Sequence, residues 1–256
     1  MTADRGPRLE ARQVVCTYGE TVAVDRVDLV AEAGQITVMI GPNGAGKTTL
    51  FNALAGAVLP TSGTVLLDGE DVTRLPPDRR TRLGLSRTFQ QSTVFGSLTV
   101  EENLRVGAES RRRDGTTRGL LGLGDRRDGE SSRVVDEVLR ELGLLGLRRV
   151  RASGLPTGTL RLVELGRAMC TRPSVLLLDE PASGLDDAET EELRQTLGRL
   201  AGRGLALVLV EHDLDLVRDS ADVVYVMVDG RILASGAPAE VIARADVRTR
   251  ALGLPS

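Results

Sequence analysis

The 256-residue sequence has one histidine, His212, two cysteines, no tryptophan and, among 33 basic residues, a single lysine, Lys47. The two cysteines, Cys16 and Cys170, are far apart in sequence and fit no metal-ligand or redox spacing. Both are expected as inert core residues. The apolar runs Val175 to Leu178 and Leu205 to Val210 fall far short of the ~20 residues that cross a bilayer. The N-terminus carries no apolar secretory segment, so the chain is expected to be cytoplasmic, free to dock on a membrane protein. A net charge of -3 lacks the basic footprint that nucleic acid binding leaves, so no nucleic acid partner is expected. What is there, 41% hydrophobic and 27% charged residues, is ordinary for a globular protein, and the length suits one large α/β domain with a small subdomain. Where a composition avoids lysine and histidine this strongly, the lone survivors mark positions whose chemistry no other residue supplies.

The first third reads as strands: Leu9 to Tyr18, Val24 to Ala31 with alternating apolar positions, and the apolar run Gln35 to Ile40. A Gly-rich turn and a helix from Lys47 to Ala55 follow. Turn chemistry at Pro60 to Gly63 precedes a strand from Thr64 to Leu67 and an Asp68-Gly69 turn. From Gln90 to Ala152 the character changes to helices and loops, with eight arginines from Arg105 to Arg133 scattered through a Gly-rich stretch. A solvated surface insertion is expected there, with contact to anionic lipid or a partner as the sharper alternative. Within it Ser131 to Leu142 is an amphipathic helix, because Val134, Val135, Val138, Leu139 and Leu142 share one face. Alternation then resumes: helix Thr159 to Cys170, strand Ser174 to Leu178, helix Asp187 to Arg203, strand Ala206 to Val210 and helix Leu214 to Ser220. Such alternation implies a parallel sheet interrupted by the helical insertion. Val223 to Val228, an Asp229-Gly230 turn and Arg231 to Ala234 form a terminal hairpin.

Gly41, Pro42, Asn43, Gly44, Ala45, Gly46, Lys47 and Thr48 fit the P-loop pattern directly after a strand and at the start of a helix. The glycines let backbone N–H groups curl around phosphate oxygens, and the helix N-terminus adds partial positive charge. Lys47 would reach the β and γ phosphates, Thr48 would place its hydroxyl on Mg²⁺, and Thr49 could bond the α phosphate. Val175 to Glu180 is an apolar strand ending in two carboxylates. Asp179 would hold Mg²⁺ through water and Glu180 would polarise the water that attacks the γ phosphate. His212 follows a strand at its carboxyl end, where ligands bind in open parallel sheets, and is placed to hydrogen-bond a γ phosphate.

The P-loop, Asp179-Glu-Pro before Ser183-Gly-Leu-Asp186, and Glu211-His-Asp after a strand occur here in the order found in ABC-type ATPases, and the sequence resembles that family over nearly its whole length. The resemblance implies a P-loop NTPase core (residues 1–89 and 153–256) with an N-terminal antiparallel β portion, and an inserted α-helical subdomain (90–152). It implies that Tyr18 stacks on adenine, that Gln90 senses Mg²⁺ and couples to the transport domain, that Asp186 belongs to a loop crossing between subunits, and that His212 is the switch histidine. Arg87-Thr-Phe-Gln90, Val210-Glu-His-Asp-Leu214 and the long linker before Ser131 are similar to the branched-chain amino acid importer group; lipopolysaccharide-export ATPases share the organisation.

The family's signature loop, usually Leu-Ser-Gly-Gly-Gln, aligns with Leu155-Pro-Thr-Gly-Thr159. Thr157, Gly158 and Thr159 would present hydrogen-bond donors to the ATP of another subunit, without the usual serine and glutamine. One P-loop and one signature loop per chain imply a homodimer or a pair with a second ABC ATPase, seated on integral-membrane permease subunits and served by an extracytoplasmic solute-binding protein. A non-transport ABC ATPase is the rival within the superfamily, but the chain has neither tandem cassettes nor a long coiled-coil insertion. A P-loop GTPase is weaker, because none of Asn43, Asn52 or Asn103 is followed by lysine.

Overall fold

The computed structural model describes residues 7–88, 94–110 and 125–253, with backbone only for 125–128. β1 (Leu9–Tyr18) and β2 (Thr21–Ala31) pair antiparallel, and β4 (Ser62–Leu67) and β5 (Glu70–Asp71) complete a four-stranded sheet in the order β2-β1-β4-β5. The second sheet is built on β3 (Ile36–Ile40), β6 (Leu85–Arg87), β7 (Val175–Asp179), β8 (Ala206–Val210), β9 (Val223–Val228) and β10 (Arg231–Gly236), in the order β10-β9-β3-β8-β7-β6. Its strands run parallel except β10, which turns back along β9.

β3, β7 and β8 are buried at every position, as strands covered on both faces must be. The pleat sends alternate residues to opposite layers. Met39, Leu177 and Val208 meet the antiparallel sheet and α1 (Lys47–Ala55), while Val38, Leu178 and Leu209 meet a helical layer. That layer contains α3 (Val100–Ser110), α4 (Asp125–Glu141), α5 (Thr157–Met169), α6 (Asp187–Gly202) and α7 (Leu214–Ser220). Val134, Val135, Val138, Leu139 and Leu142 are buried, as their helical spacing requires. The α/β class with an antiparallel β portion and a helical layer is therefore the one expected from the sequence.

Several boundaries differ from the sequence reading. α4 begins at Asp125 rather than Ser131, and α5 begins at Thr157 rather than Thr159, so Gly158 lies inside its first turn. Asp179 closes β7 rather than following it. Besides α3, which the sequence placed only within a stretch of helices and loops, the unforeseen elements are β5, α2 (Pro77–Leu83), β6, α8 (Pro238–Ala243) and α9 (Ala245–Arg250), all seven residues or shorter, too short for a hydrophobic period to register.

α2 is held instead by Arg80, which is fully buried. Its guanidinium donates to Leu75 O at 3.0 Å, Ala53 O at 2.8 Å, Leu54 O at 2.6 Å and Thr73 O at 2.9 Å. Two of those carbonyls belong to the last turn of α1, where a cation also complements the helix dipole. In the helical layer Arg148 bridges Glu101 of α3, at 2.7 and 2.8 Å, and Asp136 of α4, at 2.8 Å. The Arg148 hydrogen bonds hold the Glu101 carboxyl down at about 2. Arg105 pairs with Glu101 at 2.9 Å; the arginines from Arg111 to Arg127 lie outside the described side chains. Both cysteines are buried in the core, and burial pushes the Cys170 thiol up to about 12.

Candidate active site

The loop after β3 is shaped by what surrounds it. A side-chain Cβ at Gly41 would sit 2.0 Å from Met227 O, and one at Gly46 would sit 2.2 Å from Ala23 O; both glycines also hold positive φ, 149° and 100°. The turn between β9 and β10 braces the loop through Gly230 N–H donating to Ala45 O at 3.0 Å. Gly46 is the N-cap of α1, has no side chain with which to cap it, and no acid occupies the first turn. The opening N–H groups of α1 are therefore left for an anion from outside the helix.

Lys47 is 6% exposed and arches back over the loop, its Nζ donating to Gly41 O at 2.7 Å and Pro42 O at 2.9 Å. Burial lowers its pKa, while the charges of Glu180 and Asp179 act in the opposite direction. Thr48 is exposed beside it and Thr49 is half-buried. Asp179 is 3% exposed; burial raises its pKa against the pull of Arg87, whose Nη2 lies 2.9 Å from Oδ2. Arg87 also bonds Asn52 Oδ1 and lies 4.9 Å over the ring of Phe51, so it ties α1 to the end of β7.

Glu180 adopts φ 47°, the left-handed region that a side-chain-bearing residue enters only under constraint. The constraint is a bond from its N–H to Val210 O at 2.9 Å at the end of β8. The turn brings Oε1 of Glu180 to 3.1 Å from Nε2 of His212. Glu211 links the loop after Glu180 to the backbone of His212. It is 3% exposed, its Oε1 accepts from Ala182 N–H at 3.0 Å and its Oε2 from His212 N–H at 3.1 Å. Burial raises the Glu211 pKa, and these backbone donors oppose the rise. Sequence reading passed over Glu211, although an acid flanked by an apolar strand and the lone histidine was the available signal.

The fold thus gathers Lys47, Asp179, Glu180 and His212 at the carboxyl ends of β7 and β8 and the N-terminus of α1. Tyr18 stands apart at the tip of the β1–β2 hairpin, 52% exposed, on the strand pair whose Ala23 carbonyl abuts Gly46. Gln90 lies outside the described residues. Thr157, Gly158, Thr159 and Asp186 form a second cluster: among the described residues no hydrogen bond joins them to the P-loop. Gly158 N–H donates to Glu189 Oε1 at 3.1 Å, and Asp186 caps α6 by accepting from Glu189 N–H at 2.8 Å.

A glycine-lined phosphate cradle with a buried ammonium, at the carboxyl ends of the strands of a mainly parallel sheet and beside a glutamate–histidine pair, defines a P-loop ATPase. Residues 24–183 match the ABC transporter family. The high-affinity branched-chain amino acid transport ATP-binding protein LivG of Escherichia coli is 38% identical over 251 residues, spanning 96% of this chain and 98% of LivG. BraF of Pseudomonas aeruginosa, with the same description, is also 38% identical, over 253 residues and the same shares. The crystal structure of the ADP conformation of MJ1267, an ATP-binding cassette of an ABC transporter, superposes with TM-score 0.85 at 30% identity, covering 94% of this chain and 97% of that one. A nucleotide-free ATP-binding cassette from an ABC transporter matches with TM-score 0.81 at 30% identity, covering 91% and 92%. The chain belongs to the ABC transporter family: it is an ATP-binding subunit whose ATPase activity is coupled to transport and which works with membrane permease components.

Proposed function

We propose that this chain powers import of branched-chain amino acids or similar small solutes, acting at the cytoplasmic face of the membrane as a dimer closed around two ATP molecules. What carries the reading is the near-complete coverage of both LivG and BraF at 38% identity, joined to a P-loop, buried carboxylate and glutamate–histidine pair in one place. The partners are integral-membrane permease subunits, a second copy or a similar ABC ATPase, and an extracytoplasmic solute-binding protein.

Each side chain then has a role set by its surroundings. Tyr18 offers an exposed ring for the adenine. The N–H groups of the loop after Pro42 and of the first turn of α1, with the Lys47 ammonium, receive the phosphates, the lysine exchanging two carbonyl acceptors for phosphate oxygens. Thr48 and Asp179 supply hard oxygen donors, one hydroxyl and one carboxylate, which suit Mg²⁺ completed by phosphate and water; Gln90 is assigned the sensing of Mg²⁺ and the coupling to the transport domain. Bound there, Mg²⁺ would neutralise charge on the phosphate oxygens. Glu180 accepts the proton of the attacking water, and His212, held by Glu180 and Glu211, donates to the γ phosphate. Thr157, Gly158 and Thr159 face the ATP of the opposite subunit, and Asp186 belongs to the crossing loop. The separation of the two clusters within one chain supports completion of each site by a second copy.

The test is ATP hydrolysis by the chain reconstituted with its permease and solute-binding protein in liposomes. Leucine, isoleucine or valine should stimulate it. Stimulation by a lipid substrate and by none of these amino acids would overturn import of amino acids and favour lipopolysaccharide export.

A further inference from the structure

Gly158 is the second residue of α5 and does not have a positive φ, so conformational freedom does not explain glycine there. Space does. A Cβ at this position would lie 2.5 Å from Oε1, 2.7 Å from Cδ and 3.0 Å from Cγ of Glu189. Glu189 reaches Gly158 from the first turn of α6, and its carboxylate is shared between the N-terminal ends of α5 and α6. Oε1 accepts from Gly158 N–H at 3.1 Å, and Oε2 accepts from Asp186 N–H at 3.3 Å. Pro156, at the N-cap of α5, provides no side-chain cap. Glu189 therefore caps α5 from a neighbouring helix, where a carboxylate is favoured by the partial positive charge. A second fastening runs beside it, from Arg161 Nη2 to Ser183 O at 3.3 Å. The first turns of α5 are thus tied at two points to the segment that runs from Glu180 to Asp186.

We propose that Glu189 is a positioning residue: it sets the Gly158 donor against the subunit-crossing loop, and position 158 is glycine in order to admit it. Movement of the loop that begins at Glu180 is thereby passed to the first turn of α5, where Thr157 and Thr159 flank the Gly158 donor that Glu189 holds and face the other subunit's ATP. The inference rests on the dimeric reading above. The first obstacle to a side chain at 158 is Glu189 of the same chain rather than the phosphate of another.

The test uses the full chain as parent, Gly158→Ala, Glu189→Ala and the double variant, each also carrying Glu180→Gln for dimerisation measurements. The readouts are affinity for a fluorescent ATP analogue at concentrations that keep the chain monomeric, the dimer fraction in saturating ATP, kcat and KM, and the unfolding temperature. Affinity should stay within about threefold in all four, because the P-loop is untouched. Gly158→Ala and Glu189→Ala should each lower dimer fraction and kcat, by about tenfold, while the double variant is no worse than Glu189→Ala alone, since the added methyl group then has room. A double variant as defective as the product of the two single losses would show that Gly158 is needed for the phosphate itself, and would overturn the proposal. Parental dimerisation and kcat in Glu189→Ala would overturn it equally. Loss of analogue affinity together with a lowered unfolding temperature in Glu189→Ala would reduce Glu189 to a structural cap and also overturn it. If the Glu180→Gln parent forms no dimer with ATP, the dimeric reading fails first and the proposal falls with it.

Discussion

Replacing Arg80 with methionine should destabilise the protein by about 3–5 kcal/mol, through the end of α1 farthest from the nucleotide. Methionine keeps much of the apolar stem, so the loss is mainly the four guanidinium hydrogen bonds to Leu75 O, Ala53 O, Leu54 O and Thr73 O. Ala53 O keeps a donor, Gly56 N–H at 3.2 Å. The other three lose the Arg80 donor in a site where Arg80 is fully buried, and each orphaned carbonyl costs about 1–3 kcal/mol. Against that stands relief from burying a cation with no paired carboxylate among the described residues; burial already brings the Arg80 pKa down to about 10. The relief is why the expected cost sits toward the lower end of the simple sum. At ~2–4 °C per kcal/mol for a chain of this size, the unfolding temperature should fall by roughly 6–20 °C in a calorimetric or fluorescence scan. Arg80→Lys, which keeps the charge but cannot reach four carbonyls, should fall between. Nucleotide affinity should weaken in step, because α1 presents Lys47 and Thr48 from its other end. An Arg80→Met variant that unfolds within about 1 kcal/mol of the parent would refute the reasoning.

Lys47→Ala should greatly weaken ATP binding, since it removes the only lysine and the ammonium held over the loop; unchanged affinity for a fluorescent ATP analogue would remove the P-loop assignment. Glu180→Gln should bind nucleotide as before but hydrolyse it about 10²–10⁴ times more slowly, because an amide cannot take the proton, and it should accumulate as an ATP-bound dimer on size exclusion. Parental phosphate release in that variant would take Glu180 out of the mechanism. Glu101, whose carboxyl is held at about 2 against an ordinary 4.5, contributes stability that is complete above pH 4.5 and disappears as the pH falls towards 2. Glu101→Gln should therefore unfold at a lower temperature near neutrality, with the gap to the parent closing in acid; a gap independent of pH would count against the Arg148 pairing as its source.

Much of the fold was legible because its signals are local. Buried parallel strands must be apolar at every position, so Val175 to Leu178 and Ala206 to Val210 announce themselves, and α4 shows its face through Val134, Val135, Val138, Leu139 and Leu142. The phosphate loop is equally local: a cradle made of consecutive N–H groups requires glycines at fixed spacing, followed by a lysine and a hydroxyl. Asp179, Glu180 and His212 could be named because the ends of parallel strands are where such sheets bind ligands.

What only the tertiary structure decided are the partnerships between distant segments. No periodicity links Arg87 to Asp179, Arg80 to the end of α1, or Arg148 to Glu101, because these contacts follow from how helices and strands stack and not from what precedes or follows each residue. Glu211 reads as one more acid beside a histidine until the fold buries it between Ala182 and His212. Gly158 reads as a glycine kept clear for a phosphate until α6 brings Glu189 against it. The sequence by itself determined which groups could carry phosphate chemistry, since that demand falls on residues close together in the chain. Their mutual placement, and the carboxylates and guanidinium groups that hold them there, depended on buried charges finding partners across the core, which folding alone brings within hydrogen-bond range.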